Sequence, residues 1–221
     1  MNDLSRFVPK MSGVEVGVVG DLIADVYLYT KPARLSREAP VLIVHYEREE
    51  VIPGGAANTA RNLAELGARV HLVAEVGEDA PGARVVEILA GSGVDTGPVL
   101  VRSDRATVTK TRILAGDPHR TKQQLFRIDR EPRRAEARPR DAETIARLEA
   151  VDRRVAGFVV SDYDYELLSP DVCAWLRAAA SRKPVIVDSR HRLKEFAGVT
   201  VVTPNEEEAE EASGLKIEGW H

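Results

Sequence analysis

Residues 53–67 read Pro-Gly-Gly-Ala-Ala-Asn-Thr-Ala-Arg-Asn-Leu-Ala-Glu-Leu-Gly, and this stretch decides the fold. Gly54 and Gly55 let the backbone approach a ligand closely, and they open a helix whose first N–H groups have no partner within the helix. Gly67 is suited to end the helix as a C-terminal cap. Asn58 lies in the first turn, so the segment predicts a wall of small residues with one amide, which suits a hydroxyl-rich ligand. The stripe predicted to be buried consists of Ala56, Ala60, Leu63 and Ala64.

Taken alone, this segment could also be a helix that packs against a sheet and binds no ligand. The sequence on either side of it is therefore needed to choose between the two. Short β-branched runs alternate with amphipathic segments on both sides, which predicts a parallel sheet with crossover helices. The predicted strands are Val14–Val19, Arg69–Ala74, Val155–Val160, Pro184–Asp188 and Val199–Val202. The predicted helices are Ala57–Leu66, Gly82–Gly91, Asp141–Arg153, Pro170–Ser181 and Asn205–Ser213. Several strands are apolar at successive positions, so helices should cover both faces of the sheet. The fold class is therefore α/β, with residues 1–221 as a single domain.

Two stretches interrupt this alternation and predict a small separate β-sheet, which we call the lid. The first is Lys31–Ile52, with a strand at Val41–Tyr46. The second is Thr107–Ile128, which has a strand, a turn at Gly116-Asp117-Pro118 and a returning strand. Neither face of this sheet is wholly apolar, so it should cover a polar ligand. Exposed sheet edges commonly pair between subunits, which predicts a homodimer through the lid. One face should carry Val108, Lys110, Arg112 and Leu114, and the other Thr107, Thr109, Thr111 and Ile113.

Charge and composition exclude several partner classes. The chain has 31 Lys and Arg against 35 Asp and Glu, a formal net charge of -4 and a pI near 5.8, so neither nucleic acid nor an anionic membrane is expected as a partner. The arginine-rich run 133–140 contains interleaved acids and no aromatics, which is typical of a solvated connector. Residues 1–10 lack the apolar core of a signal peptide, and no run reaches the ~18 apolar residues of a membrane span, so we expect a cytoplasmic protein. Cys173 should be a buried thiol on a helix.

Two carboxylates near the first strand are candidates for ligand binding. Asp21 ends that strand, and Asp25 follows four residues later. Carboxylates accept hydrogen bonds from sugar hydroxyls, although Asp25 fits equally well as a polar helix or turn residue. The strand ends Gly17-Val18-Val19-Gly20-Asp21, which lacks the Gly-x-Gly-x-x-Gly spacing and excludes a dinucleotide site of that type.

With these residues identified, a family resemblance emerges. Residues 54–67 resemble the first signature of the ribokinase-type, or PfkB, carbohydrate kinases, and the similarity extends over almost the whole chain. The further matching landmarks are Gly20-Asp21, Val76-Gly77-Glu78-Asp79 with Gly82, Gly93-Val94-Asp95, and Thr203-Pro204-Asn205-Glu206-Glu207-Glu208. The resemblance implies a ribokinase-like sheet with a β lid, and an enzyme that phosphorylates a sugar with ATP and Mg²⁺.

Within that family the chain is most similar to the heptose-7-phosphate kinases of ADP-heptose synthesis. The segments that carry this similarity are residues 33–41, Thr109-Lys110-Thr111-Arg112, residues 123–129 and Ser161-Asp162-Tyr163. One departure concerns Asp164-Tyr165-Glu166, which stands where such kinases usually have Gly-Lys-Gly. The identity of the sugar is therefore open.

The resemblance implies roles for ten residues. The sugar would be held by Asp21, Asp25, Gly54, Gly55 and Asn58, and a phosphate on its far end by Lys110, Arg112 and Arg127. Asn205 and Glu208 would meet the Mg·ATP phosphates, with Glu208 reaching the metal through water. The alternatives are exposed lid residues for the three cations and a solvated acidic helix start for residues 206–211.

The family's catalytic base belongs to a Gly-x-Gly-Asp element at the start of a late helix, and no such element follows Asn205. Residues 114–118 contain a similar string that lacks the first glycine and continues into proline. We therefore expect a kinase domain that is C-terminally incomplete, with its base beyond His221, and inactive as it stands. The alternative is a non-catalytic sugar-phosphate-binding or regulatory module that keeps only the acceptor site.

Overall fold

The main sheet consists of five parallel strands, and the computed structural model that shows it describes residues 4–116, 122–131 and 141–217. These strands are β1 (Glu15–Gly20), β4 (Arg69–Val73), β9 (Gly157–Asp162), β10 (Val185–Ser189) and β11 (Val201–Val202). Their order across the sheet is β11-β10-β9-β1-β4. Five helices connect or flank them: α1 (Ala56–Glu65), α2 (Ala80–Gly91), α3 (Asp141–Asp152), α4 (Pro170–Ala180) and α5 (Glu206–Ser213).

Helices cover both faces of this sheet, as the runs of successive apolar residues predicted. Val18 and Val19, neighbours on β1, are both fully buried and belong to two different apolar clusters. Val18 packs with residues of α1 and α2, whereas Val19 packs with residues of α3 and α4. Since adjacent residues of a strand point to opposite faces, both faces of the sheet are core. The predicted α/β class is confirmed, and each predicted helix and main-sheet strand is present with boundaries shifted by a few residues.

The lid is a second sheet of four strands, in the order β3-β2-β7-β8. Its strands are β2 (Leu22–Leu35), β3 (Leu42–Gly55), β7 (Val108–Ala115) and β8 (Gln123–Arg130). The β2–β7 pair is parallel, and the β2–β3 and β7–β8 pairs are antiparallel. A short parallel pair, β5 (Glu75–Gly77) with β6 (Leu100–Arg102), and 3-10 helices at Leu4–Met11 and Leu193–Phe196 complete the described elements.

The lid differs from its predicted extent in one important respect. It begins at Leu22, immediately after β1, rather than near residue 31, and Leu22, Ile23 and Ala24 are buried in the core. The helix or turn alternative for Asp25 is therefore wrong, because Asp25 lies within β2. The physical reason is the parallel pairing of β2 with β7, from Ile23 opposite Val108 to Thr30 opposite Ala115, which joins segments far apart in the chain. The predicted turn residues Asp117 and Pro118 and the connector 133–140 lie outside the described residues.

Asp79 connects the second helix to the lid. Its Oδ1 accepts hydrogen bonds from the Gly82 N–H at 3.0 Å and the Thr107 hydroxyl at 2.6 Å, and its Oδ2 accepts the Thr107 N–H at 3.0 Å. One carboxylate therefore caps α2 and fixes the residue that precedes β7.

The one cysteine of the sequence, Cys173, lies on α4. Cys173 is buried, and burial raises the pKa of its thiol to about 11, as expected for an unreactive cysteine on a helix. In the described ranges, no helix combines the length and the apolar character needed to cross a membrane.

Candidate functional site

Asp21 lies at the carboxyl end of β1, and its side chain is only 4% exposed. Oδ2 accepts two backbone hydrogen bonds, from the N–H of Tyr163 at 2.8 Å and from that of Tyr165 at 3.2 Å. Burial raises the pKa of Asp21 to about 6, and the two N–H donors offset part of that increase. The Asp21 carbonyl also accepts the Ala56 N–H at 3.0 Å, so this residue is fixed to the start of α1.

The two glycines before α1 are required by the packing around both aspartates. A Cβ on Gly54 would lie 2.2 Å from Oδ2 of Asp25, and a Cβ on Gly55 would lie 2.4 Å from the Asp21 carbonyl oxygen. Gly55 also has a φ of 58°, a left-handed conformation that favours glycine. The signature therefore brings Asp21, Asp25 and the start of α1 together. Asn58 is exposed in the first turn of α1, one turn from these groups.

The lid contributes a second set of polar groups to the same region. Asp25 is opposite Lys110 in the β2–β7 pair, and Tyr27 is opposite Arg112, so these side chains share one face of the lid. Asp25 forms an ion pair with Arg112 in which each side chain is 21% exposed. The predicted face with Lys110 and Arg112 is therefore the one that carries Asp25.

The side chain of Lys110, on lid strand β7, reaches the loop that follows β9. Its Nζ is 6.0 Å from the ring centre of Tyr163 and 5.8 Å from that of Tyr165, which is within cation–π range. The Tyr165 hydroxyl donates to Oε1 of Glu131 at 3.0 Å. Burial, followed by this hydrogen bond, raises the pKa of Tyr165 to about 12. These groups line an open cleft of about 320 Å³ together with Arg190 and His191.

Arg127 is the candidate cation that the structure shows bound to a neighbour on its own strand. It is opposite Arg112 in the β7–β8 pair, but its Nε and Nη2 donate to both oxygens of Asp129 at 2.7 and 2.9 Å. The guanidinium is about half exposed. A phosphate at Arg127 would compete with Asp129, so its role stays a prediction.

Asn205 and Glu208 form a reciprocal cap at the start of α5. Oδ1 of Asn205 accepts the Glu208 N–H, and Oε2 of Glu208 accepts the Asn205 N–H, each at 2.9 Å. Both residues border an open cleft of about 490 Å³ that also includes Asp188, Thr203 and Tyr163. Burial, followed by the negative charge of Glu208, raises the pKa of Asp188. In the part of the chain that the structure describes, no three His, Cys, Asp or Glu side chains converge as a metal site.

The sequence identified Asp21 but not the loop that binds it. Tyr163 and Tyr165 supply the N–H donors, and the residues between and after them, Asp164 and Glu166, have φ values of 63° and 75°. Left-handed conformations favour glycine. The resemblance placed glycines at these two positions, so the departure was a signal that could have revealed the unusual backbone, although the sequence analysis drew from it only that the identity of the sugar is open.

Similarity to known proteins extends over most of the chain. The family model described as "pfkB family carbohydrate kinase" matches residues 15–220. Bifunctional protein HldE of Azorhizobium caulinodans is 41% identical over 207 residues, which cover 92% of this chain and 42% of that protein. Bifunctional protein HldE of Geobacter sulfurreducens is 39% identical over 203 residues, which cover 90% of this chain and 40% of that protein. The chain thus spans about two fifths of the length of these relatives.

Solved structures share the fold at low sequence identity. Ribokinase of Arabidopsis thaliana, determined in complex with ribose and ATP, superposes with a TM-score of 0.67 at 22% identity, covering 94% of this chain and 65% of that one. The tetrameric inhibited form of phosphofructokinase-2 of Escherichia coli gives a TM-score of 0.67 at 19% identity, covering 94% and 66%. The fold is therefore ribokinase-like, as the resemblance implied.

Proposed function

Since the chain belongs to the pfkB family of carbohydrate kinases, we propose that it carries the sugar site of an enzyme that transfers the γ-phosphate of ATP to a sugar hydroxyl. The observation that carries this proposal is the buried carboxylate of Asp21, which is bound through Oδ2 beside the glycine-led start of α1. Ligands of open α/β sheets bind outside the carboxyl ends of the strands, where Asp21 lies. A carboxylate held in this way can accept a hydrogen bond from a sugar hydroxyl without further reorganisation.

The acceptor that we propose is a sugar phosphate of the heptose-7-phosphate type. The HldE proteins to which the chain is similar and the lid segments both support this choice. Among the described residues, Arg112 and Arg127 are each bound to a carboxylate, whereas the ammonium of Lys110 lies over two aromatic rings with no described ion pair. Lys110 is therefore the group best placed to bind the sugar's phosphate as an unneutralised cation.

ATP and Mg²⁺ would occupy the cleft beside Asn205 and Glu208 in this proposal. When bound, Mg²⁺ neutralises charge on the phosphates. Oε2 of Glu208 is used by the helix cap, so Oε1 is the oxygen that would reach the metal through water. This fits a magnesium ion whose ligands come mostly from water and phosphate rather than from a protein cage.

Phosphate transfer by this polypeptide is a separate question from binding. The sequence has no Gly-x-Gly-Asp element after Asn205, and loss of a general base costs ~10²–10⁴-fold in rate. We propose that the 221-residue chain binds sugar phosphate but transfers phosphate very slowly. Because slow transfer is also expected of a non-catalytic binding or regulatory module, that module is the second candidate function. ATP consumption with Mg²⁺ and a panel of sugar phosphates tests this, and rapid turnover would show that the base has been misplaced.

The test of the sugar site is titration calorimetry with heptose 7-phosphate, hexose 6-phosphates and the unphosphorylated sugars. Asp21→Ala and Asn58→Ala should each weaken binding by ~1–3 kcal/mol, because each leaves ligand hydroxyls without a partner. Asp171→Ala, an exposed carboxylate at the start of α4, is the control and should bind normally. Unchanged affinity in both site variants would remove the sugar site from this location.

The assembly that we propose is a cytoplasmic homodimer formed through the lid. Strand β8 lies at the edge of the lid, and its Phe126 and Ile128 are 55% and 54% exposed. Apolar side chains on an exposed edge strand favour pairing with a second copy. Sedimentation of the wild-type chain should show a dimer, and Phe126→Asp should shift it to the monomer. A monomeric wild type would contradict the proposal.

A further inference from the structure

The loop of residues 163–166, which we call the tyrosine loop, has a backbone that its sequence does not favour. Asp164 and Glu166 adopt left-handed conformations, which are unfavourable for residues other than glycine. The loop nevertheless directs two N–H groups onto Oδ2 of Asp21. Surrounding contacts must therefore hold it in place.

Two partly buried arginines, Arg105 and Arg192, provide these contacts. Arg105, whose side chain is 8% exposed, binds Oε2 of Glu75 through Nη1 at 2.8 Å and donates from Nη2 to the Tyr165 carbonyl at 3.3 Å. Asp162 accepts the Asp164 N–H at 3.1 Å and is itself bound by Arg192 at 2.8 and 3.2 Å. The contact from Arg105 reaches the residue whose own N–H binds Asp21.

We propose that Arg105 is a positioning residue for Asp21. By holding the carbonyl of Tyr165, Arg105 keeps both loop N–H donors on Oδ2 and leaves Oδ1 as the oxygen that binds the sugar. This inference rests on the proposed sugar site and deepens it, because it names what orients the acceptor carboxylate. Arg105 itself acts only through the loop.

The electrostatics of Asp21 give this proposal a measurable consequence. The charged groups around it are Asp162, which raises its pKa, and Arg192, which lowers it. Glu75 and Arg105 form an ion pair beside a small cavity that Asp21 also lines. The cavity is otherwise lined by Leu22, Val108 and Leu167. The loop N–H groups stabilise the ionised carboxylate, so their loss should leave a buried carboxylate with fewer donors, which binds a proton more tightly.

Arg102 provides a matched control, because it binds the other oxygen of the same glutamate. Its Nη2 lies 2.9 Å from Oε1 of Glu75, and its remaining described partner is Glu143 rather than the tyrosine loop. Replacing either arginine disrupts the Glu75 ion pair. Only replacement of Arg105 should alter Asp21.

The experiment is a ¹³C NMR titration of the Asp21 carboxyl in the ligand-free protein. In Arg105→Gln the pKa of Asp21 should rise above the wild-type value of about 6, and in Arg102→Gln it should stay there. Arg105→Lys keeps the positive charge but cannot contact Glu75 and the Tyr165 carbonyl at the same time. This variant replaces Arg105→Gln in the experiment if the glutamine variant does not fold. It should raise the pKa as well. A wild-type pKa in either Arg105 variant, or an equal rise in Arg102→Gln, would overturn the inference.

Titration with heptose 7-phosphate supplies the second readout. Arg105→Gln should bind about tenfold more weakly, the cost of one impaired hydrogen bond to a charged group, and Arg102→Gln should match the wild type. If Asp21→Ala binds normally, the proposed sugar site fails, whereas the NMR titration of the free protein still decides the role of Arg105. The two failures are therefore distinguishable.

Discussion

Two aspartates four residues apart, Asp21 and Asp25, belong to regions that stabilise a carboxylate in different ways. Asp21 lies at the end of the main sheet, where burial raises its pKa to about 6 and backbone N–H groups supply its partners. Asp25 lies in the lid, where it forms an ion pair with the partly exposed Arg112. The main sheet therefore holds a carboxylate whose charge is costly, and the lid holds one that is paired.

This difference teaches how the two sides of the cleft can be tuned independently. The main-sheet side depends on loop geometry and pH, because its carboxylate is surrounded by fixed dipoles in a dry site. The lid side depends on ionic strength, because its cations are partly solvated. Matched variants on the two sides should therefore respond differently.

The largest effect should follow removal of the buried carboxylate that supports the tyrosine loop. Asp162 is 2% exposed and binds Arg192 and the hydroxyl of Ser189, so Asp162→Ala should lower the free energy of unfolding by ~3–5 kcal/mol. Asp25→Ala, its counterpart in the lid, should cost roughly 1 kcal/mol because its ion pair is more exposed. Urea denaturation measures both, and equal losses would break the comparison between the two sides.

The second prediction concerns the pH dependence that Asp21 confers. Its folded pKa of about 6 lies above the unfolded value of 3.8, so the folded state binds the proton more tightly. Stability should therefore fall as the pH rises from about 4 to about 6 and stay lowered above that range. Asp21→Asn removes the buried charge and should raise the free energy of unfolding at pH 7.5 by up to about 3 kcal/mol.

Urea denaturation of Asp21→Asn between pH 4 and pH 8 measures this effect. The variant should also show a flatter stability profile than the wild type, at the expense of sugar binding. Asp25→Asn is the matched lid variant and should lower stability, because it weakens the ion pair with Arg112. A loss of stability in Asp21→Asn at pH 7.5 would show that its charge is better solvated than the structure indicates.

The third prediction sharpens the role of the lid cations. Lys110→Ala should weaken binding of a sugar phosphate by ~1.5 kcal/mol, about tenfold, and leave binding of the free sugar unchanged. Arg127→Ala should have a smaller effect, because Asp129 already binds that guanidinium at both oxygens. Calorimetry at two salt concentrations measures both, and a larger effect of Arg127→Ala would reverse their order.

The smallest effect should come from the backbone of the tyrosine loop. Glu166→Gly should raise the free energy of unfolding by ~1 kcal/mol, because glycine adopts a φ of 75° without steric cost. Glu166→Ala retains a Cβ and should give no such gain. Asp164→Gly should gain less, since aspartate tolerates the left-handed conformation better. A stabilising Glu166→Ala would show instead that the glutamate side chain, rather than the backbone, is unfavourable.

The sequence by itself determined the α/β class, the family, the glycine-led helix α1 and the burial of Cys173. The family followed from the resemblance of residues 54–67 and the later landmarks, whereas the other features follow from local patterns: apolar runs typical of a sheet covered on both faces, helical periodicity, and glycines at a helix start. It also identified Asp21 and the lid cations as candidates for ligand binding, and their roles in binding stay predictions. The departure at residues 164–166 was visible as well, although its consequence was not.

Only the tertiary structure decided which groups meet. It extended the lid back to Leu22 through the pairing of β2 with β7, assigned Gly54 to the space beside Asp25, and linked Arg105 to Asp21 through the Tyr165 carbonyl. Periodicity reports which face of an element is buried, but it contains no information on partners distant in the chain. Those partners are selected by how the sheets pack, because burial makes each ion pair and each N–H donor depend on neighbours brought together by the fold.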